Sequence, residues 1–202
     1  HMNFQDFTNF VNSLSCPPVI LLEGKRDVKD NDKHLLIELG NKLAANLKDA
    51  TFRTGNAKGA DELFAKGVSE IDPERIEFIL PYKDHRKKYI YPLSYSASVD
   101  DINLAKEPEI IYSTKSAGQK NANIVGQYEN GIRNKLTIKA SYLIRDTVKV
   151  LGSPSLNLKK ADIAIFYDDL CNPAQGGTGH TMRVCEQNGV PVITQKEWFN
   201  WL

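Results

Sequence analysis

Three short segments carry the residue types needed to hold a phosphate: Gly24-Lys25-Arg26, Thr54-Gly55-Asn56-Ala57-Lys58-Gly59-Ala60-Asp61 and Gly176-Gly177-Thr178-Gly179-His180-Thr181. Glycine lets a backbone approach an anion closely, and the first amides of a helix point along a favourable dipole. Lys25 and Arg26 offer cations in the first segment, and Asn56, Lys58 and Asp61 surround the two glycines, Gly55 and Gly59, of the second. In the third, Gly176, Gly177 and Gly179 are interleaved with Thr178, His180 and Thr181, whose hydroxyls can contact phosphate oxygens as well as cap a helix. Each segment alone is equally what a tight strand–helix turn needs. None is a Walker A loop or a GxGxxG fingerprint.

Other candidates are less specific. His180 suits a ligand donor, a general acid/base or a plain helix-start histidine. Asp168 and Asp169 follow an apolar run and could meet a ribose or a metal, or be ordinary loop carboxylates. Cys185 reads as packing. His34 and His85 have no neighbouring ligands at metal-binding spacing, and the three cysteines (Cys16, Cys171, Cys185) include no CxxC pair, so neither a metal nor another cofactor is expected.

These turns need strands before them and helices after them, and the patterning supplies both. Val19–Leu22 is a short continuous apolar run, as in a strand buried on both faces. Leu35, Leu36, Leu39, Leu43 and Leu47 recur at helical spacing, Ala50–Thr54 reads as a second strand, Leu63, Phe64 and Val68 mark a second helix, and Ile76–Leu80 a third strand. A helix is expected over 136–151, a strand over 161–167, a helix from 178–181 to Asn188 with Gly189 as its cap, and a last strand at 190–193. Helical spacing also marks residues 3–15 and 196–202. This alternation predicts an α/β fold: a Rossmann-like, doubly wound, mostly parallel sheet with helices on both faces. Residues 82–137 interrupt the rhythm and read as an irregular insertion or lid, with a short strand at Glu109–Tyr112 and some helix. The expected organisation is one domain over 2–202.

Composition limits the functions. The chain has 202 residues, 41% apolar and 25% charged, with a net charge of +1. That balance gives no global push toward nucleic acid or an anionic membrane. The basic run Lys83–Lys88 reads as a solvated face, although Tyr82, Tyr89 and Tyr91 beside it could serve as stacking platforms for bases. His1-Met2 looks like a cloning scar; no signal peptide or apolar stretch of membrane length follows, so a cytoplasmic protein is expected.

The three turns, in this order, resemble the SLOG superfamily, which groups the Rossmann core of DNA-processing protein A with the "Lonely guy" phosphoribohydrolases. Gly24-Lys25-Arg26 stands at the family's Gly-Ser-Arg type turn, Thr54–Asp61 is similar to its Ser-Gly-Gly-Ala-x-Gly-x-Asp loop, and Gly176–Arg183 with Gly189-Val190-Pro191-Val192 matches its Gly-Gly-Thr loop, helix and closing strand. The likeness covers residues 19–81 and 140–195 and places Arg145-Asp146 near a family Arg-Asn position. It implies that Arg145 faces the ligand and that the protein forms a homodimer. It departs at the hydrolases' catalytic glutamate, where Arg183 stands; Glu186, one turn on, and Asp168 are the substitutes.

The expected function is therefore binding of a nucleotide or nucleotide-derived phosphate ligand, as a sensor or carrier. Two alternatives stand beside it: an N-glycosidase acting on nucleoside monophosphates through Glu186 or Asp168, and a single-stranded DNA-binding protein. A small-molecule nucleotide is the expected partner, with nucleic acid second and no membrane.

Overall fold

The computed structural model describes residues 2–14 and 17–202. Its sheet has six strands, all parallel: β1 (Val19–Gly24), β2 (Thr51–Thr54), β3 (Ile76–Leu80), β4 (Tyr95–Ser98), β5 (Ile163–Tyr167) and β6 (Val192–Thr194). Their spatial order is β4-β3-β2-β1-β5-β6. The chain winds outward from β1 in one direction, then returns to add β5 on its other side. The fork between β1 and β5 is thus a topological switch point, where ligands of such sheets bind beyond the carboxyl ends of the strands.

Alternate strand residues feed opposite faces. Ile20, Leu22, Phe78, Ile163 and Ile165 join a core with helices α1 (Phe4–Asn12), α2 (Lys33–Asn46), α3 (Ala60–Ser69) and α8 (Gln195–Trp198). Val19, Leu21, Ile79, Ala164 and Phe166 meet the helices of the other face: α4 (Pro108–Ala117), α5 (Ala122–Glu129), α6 (Thr137–Leu151) and α7 (Gly176–Gln187). The fold is doubly wound, as the strand and helix alternation predicts. Among the described residues no helix is long and apolar enough to cross a membrane.

Two basic residues finish helices or strands from a distance. Arg75 donates to the carbonyls of Ala44 (2.7 Å) and Leu47 (2.8 Å), closing the end of α2. Its charge suits the negative pole there. Buried Arg53 on β2 pairs with Glu77 at 2.7 Å and donates to the Lys149 carbonyl in the last turn of α6.

Three sequence expectations need correction. Glu109–Tyr112 lies in helix α4, because Pro108 starts a helix and Ile110 and Ile111 pack toward α6 rather than into a sheet. Residues 82–137 supply edge strand β4, paired with β3, and helices α4 and α5, which complete the core over α6. The third glycine-rich segment is the first turn of α7 itself, which starts at Gly176. Gly179 is required inside that turn, since a Cβ there would run into the Ala174 carbonyl as the preceding loop folds back. Ser15, the end of the helical spacing read over residues 3–15, and Cys16 lie outside the described residues.

Candidate functional site

A cleft of about 900 Å³ opens at the β1/β5 fork, bounded by the loop after β1, the end of β5, the first turn of α7 and one face of α6. Of the residues singled out in the sequence, Gly24, Lys25, Arg26, Ala57, Asp61, Arg145, Asp146, Asp168, Asp169, Gly177 and Thr178 line it. The structure therefore gathers parts of all three turns at one place.

The turns do not all present free amides. Asp61, in the first turn of α3, takes the Gly55 N–H on Oδ2 at 3.0 Å, the Ala57 N–H at 3.3 Å, and the Gly24 N–H on Oδ1 at 3.3 Å. A carboxylate of the chain's own thus sits where two of the turns converge, and it ties them together. Gly55 is walled in by the Arg145 guanidinium, and Gly59, at φ 91°, lies so close to the Arg26 backbone that a side chain would not fit. Asn56 holds the Tyr82–Tyr89 loop instead of a ligand, donating from Nδ2 to the carbonyls of His85 (3.1 Å) and Arg86 (3.2 Å). Lys58 is exposed and outside the cleft lining.

The third turn keeps its amides open to one side. The first internal bond of α7 runs from Gly179 N–H to the Gln175 carbonyl at 3.1 Å, and Gln175 makes no side-chain cap. The amides of Gly176, Gly177 and Thr178 precede that bond and lie at the positive pole of the helix. Thr181 is committed to the helix, its hydroxyl donating to the Gly177 carbonyl at 3.1 Å. His180 is buried behind the turn; Nε2 donates to the Thr114 carbonyl at 3.1 Å, so Nδ1 carries the lone pair, and it has no hydrogen-bond partner. Burial holds its pKa below the ordinary value. Glu186 is exposed in the last turn of α7, outside the cleft lining.

Beneath the opening lies a buried ionic cluster largely passed over in the sequence. Lys149 Nζ bridges Asp146 at 3.0 Å and Glu23, and Arg145 pairs with Asp146 Oδ1 at 3.0 Å while donating to the Gly55 carbonyl. Burial pushes the Glu23 carboxyl up to about 7, against the pull of Lys149, with Asp146 and Asp61 adding repulsion. Burial likewise opposes ionisation of Asp146, yet Lys149 and Arg145 hold its carboxyl below the ordinary value. The signal was present: Tyr142, Arg145, Asp146 and Lys149 recur at three- and four-residue spacing within α6, which puts them on one face.

Around the mouth, Arg26, Lys29 and Lys139 line the cleft and make no ion pair among the described residues. Ile138, Leu170 and Phe199, all substantially exposed, add apolar surface beside them. Asp168 lies at the end of β5, clamped by Gln195, whose Oε1 accepts from the Asp168 N–H at 3.0 Å and whose Nε2 donates to its carbonyl. Among the described residues no three His, Cys, Asp or Glu side chains converge as a metal site.

Three cations of the basic run after β3 are paired with carboxylates, while Lys88 makes no ion pair among the described residues. Lys83 pairs with Asp101 (3.1 Å), Lys87 with Asp84 (3.2 Å) and Arg86 with Glu62 (2.7 Å). Tyr91 stacks on Phe78, Tyr82 packs edge-on against His85 and Tyr142, and the Tyr89 ring is flanked by Arg86 and Lys88.

Neither a protein-family match nor a curated protein of similar sequence is found for the chain. Its fold is similar to that of DNA processing protein A from Helicobacter pylori, a structure described for its single-stranded DNA binding mode. The TM-score is 0.54 at 18% sequence identity, over 89% of this chain and 65% of that one. The chain thus spans just under two thirds of the length of that protein, and the likeness is one of fold: a doubly wound α/β domain with a parallel sheet.

Proposed function

We propose that the cleft at the β1/β5 fork binds a nucleotide or nucleotide-derived ligand through its phosphate, as a sensing or carrying domain. One observation carries this reading: the open first turn of α7 and three unpaired cations, Arg26, Lys29 and Lys139, border the same cleft. Its volume lies within the range typical of small-ligand pockets, about 300–1,000 Å³. The anion-holding role falls to Gly176, Gly177 and Thr178 with the rim cations; Gly24, Gly55, Gly59 and Asp61 shape the loops behind them.

A thermal-shift panel of nucleoside mono-, di- and triphosphates tests this. A binder raises Tm progressively with free ligand, by mass action. Arg26→Ala and Lys139→Ala should weaken that shift about tenfold or more in apparent affinity. A panel silent at millimolar concentrations removes the reading.

A second reading, single-stranded DNA binding, is favoured by the likeness to DNA processing protein A, and the comparison supports it better than it supports a mononucleotide. A strand would use the rim of the same cleft, where Arg26, Lys29 and Lys139 are unpaired, whereas Lys83 and Lys87 of the basic run already face carboxylates. Oligonucleotide binding with a steep salt dependence, lost on charge reversal at Arg26 and Lys29, supports it. Binding insensitive to those reversals speaks against it.

A further inference from the structure

One charged group faces the open first turn of α7, and it has the same sign as the anion proposed to sit there. A Cβ placed on Gly177 would lie 3.4 Å from Asp146 Oδ2 and, outside its own turn, meet nothing else within 4 Å; one on Gly176 would meet nothing. Cβ bonds lean toward the start of a helix, the direction in which its free amides also point. Asp146 is 3% exposed and lines the cleft together with Gly177. Its Oδ1 is occupied, taking Arg145 Nε and Lys149 Nζ at 3.0 Å each. Oδ2 makes no hydrogen bond among the described residues and is not sealed from solvent. A fixed carboxylate oxygen is therefore free to accept, across from amides free to donate.

That juxtaposition limits which anion fits. Asp146 is faced by Arg145 and Lys149 of its own helix, Glu23 of β1 and His180 of α7, with Asp61 of α3 beyond Arg145. Despite its burial, Lys149 and Arg145 keep its carboxyl ionised. A fully deprotonated anion on the turn would lie against this carboxylate with no donor between them, and the two would repel. An anion carrying a proton reverses the sign. Its O–H donates to Oδ2 in a charge-assisted bond while its other oxygens take the amides. A phosphate monoester is such an anion, because its second ionisation falls at about pH 6. A phosphodiester within a DNA strand, or a sulfate ester, has no proton to give.

We propose that Asp146 Oδ2 accepts a hydrogen bond from the P–OH of a phosphate monoester held on the first turn of α7, so that the cleft selects a terminal, singly protonated phosphate over a phosphodiester or a sulfate. The inference rests on the phosphate reading above and assigns its ligand class.

Calorimetric titration with adenosine, guanosine, cytidine and uridine 5′-monophosphates, the matching 5′-sulfates and a deoxythymidine oligomer tests this. At about pH 5.5 the phosphate and sulfate esters share shape and a single negative charge and differ in the proton. At least one monophosphate should then bind about tenfold or more tighter than its sulfate and than the oligomer, since a site built for a hydroxyl discriminates strongly against its loss. That advantage should shrink toward about pH 8, where the phosphate has lost its proton. Glu23 titrates in the same interval but repels both esters alike, so the ratio reads the proton of the ligand. Asp146→Asn keeps an acceptor for Arg145 and Lys149 and turns an N–H₂ donor toward the turn, so the ratio should fall to about one. The wild-type comparison stands even if that variant fails to fold. Equal affinity for phosphate and sulfate esters, or preference for the oligomer, overturns the proton assignment while leaving an occupied cleft. No binding by any of these probes removes the reading on which the inference rests, and the inference with it.

Discussion

Asp61 accepts the Gly55 N–H at 3.0 Å, and the same carboxylate reaches Gly24 on the neighbouring strand. The loops after β1 and β2 are therefore cross-linked through one side chain, and the glycines serve loop closure as much as ligand approach. Asp61→Asn replaces one accepting oxygen by a donor and leaves buried amides unsatisfied. Such a loss costs about 1–3 kcal/mol. Urea unfolding should show a lower midpoint of that size with unchanged slope; an unchanged midpoint removes the cross-link from the account.

Arg145 is the hub of the buried charges, touching Gly55 and Asp146 at once. Its pKa is held above the ordinary value: burial opposes the charge, and Asp146, Asp61 and Glu23 outweigh that burial. Arg145→Met removes one cation from among these acids. Breaking a buried pair on one side costs about 3–5 kcal/mol, more than the packing a methionine returns. The equilibrium stability of the variant checks this, and a loss below about 1 kcal/mol contradicts it.

Glu23 should leave a pH signature. With its folded pKa near 7 and the ordinary value at 4.5, the folded chain binds more protons across that interval. Its contribution to stability is present in full at the lower end and is lost as pH rises through about 7. His85, pushed down to about 4 by burial with Arg145 and Arg86 nearby, and His180, lowered by burial, act oppositely up to the ordinary histidine value of 6.5. Comparing wild type with Glu23→Gln cancels the histidines. The variant's Tm should rise relative to wild type between about pH 5 and pH 8; parallel profiles show that Glu23 is ionised throughout.

Helices α2 and α3 meet through glycine. A Cβ on Gly67 would enter the Ile37 carbonyl, and one on Gly40 the Phe64 carbonyl, so the two backbones touch where side chains normally intervene. Both are at helical φ, so conformational freedom is not the reason they are glycine. Gly67→Ala should destabilise by about 1–3 kcal/mol despite its better helix propensity. Chemical denaturation measures this, and a more stable variant contradicts the close crossing.

How much of this was legible depended on how local the cause was. Val19–Leu22 and Ile163–Tyr167 are apolar on both faces, so composition alone marks them as buried parallel strands, whereas their adjacency, and with it the switch point, comes from the sheet itself. Tyr95–Ser98 was hidden because an edge strand of two exposed and two buried residues carries almost no periodic signal. Glu109–Tyr112 misled because a short apolar run is shared by strands and helices, and only packing on α6 decides.

From the sequence alone came the doubly wound fold, the three glycine-bearing turns and their convergence at one end of the sheet, because strand polarity and helix starts are set by neighbouring residues. Only the tertiary structure decided which turn is open. Asp61 fills two of them and Asp168 stands unsatisfied beside the third. The physical reason is that hydrogen-bond partners 37 or 90 residues apart, such as Asp61 with Gly24 and Arg145 with Gly55, leave no mark in local spacing and are chosen only when the strands bring them together.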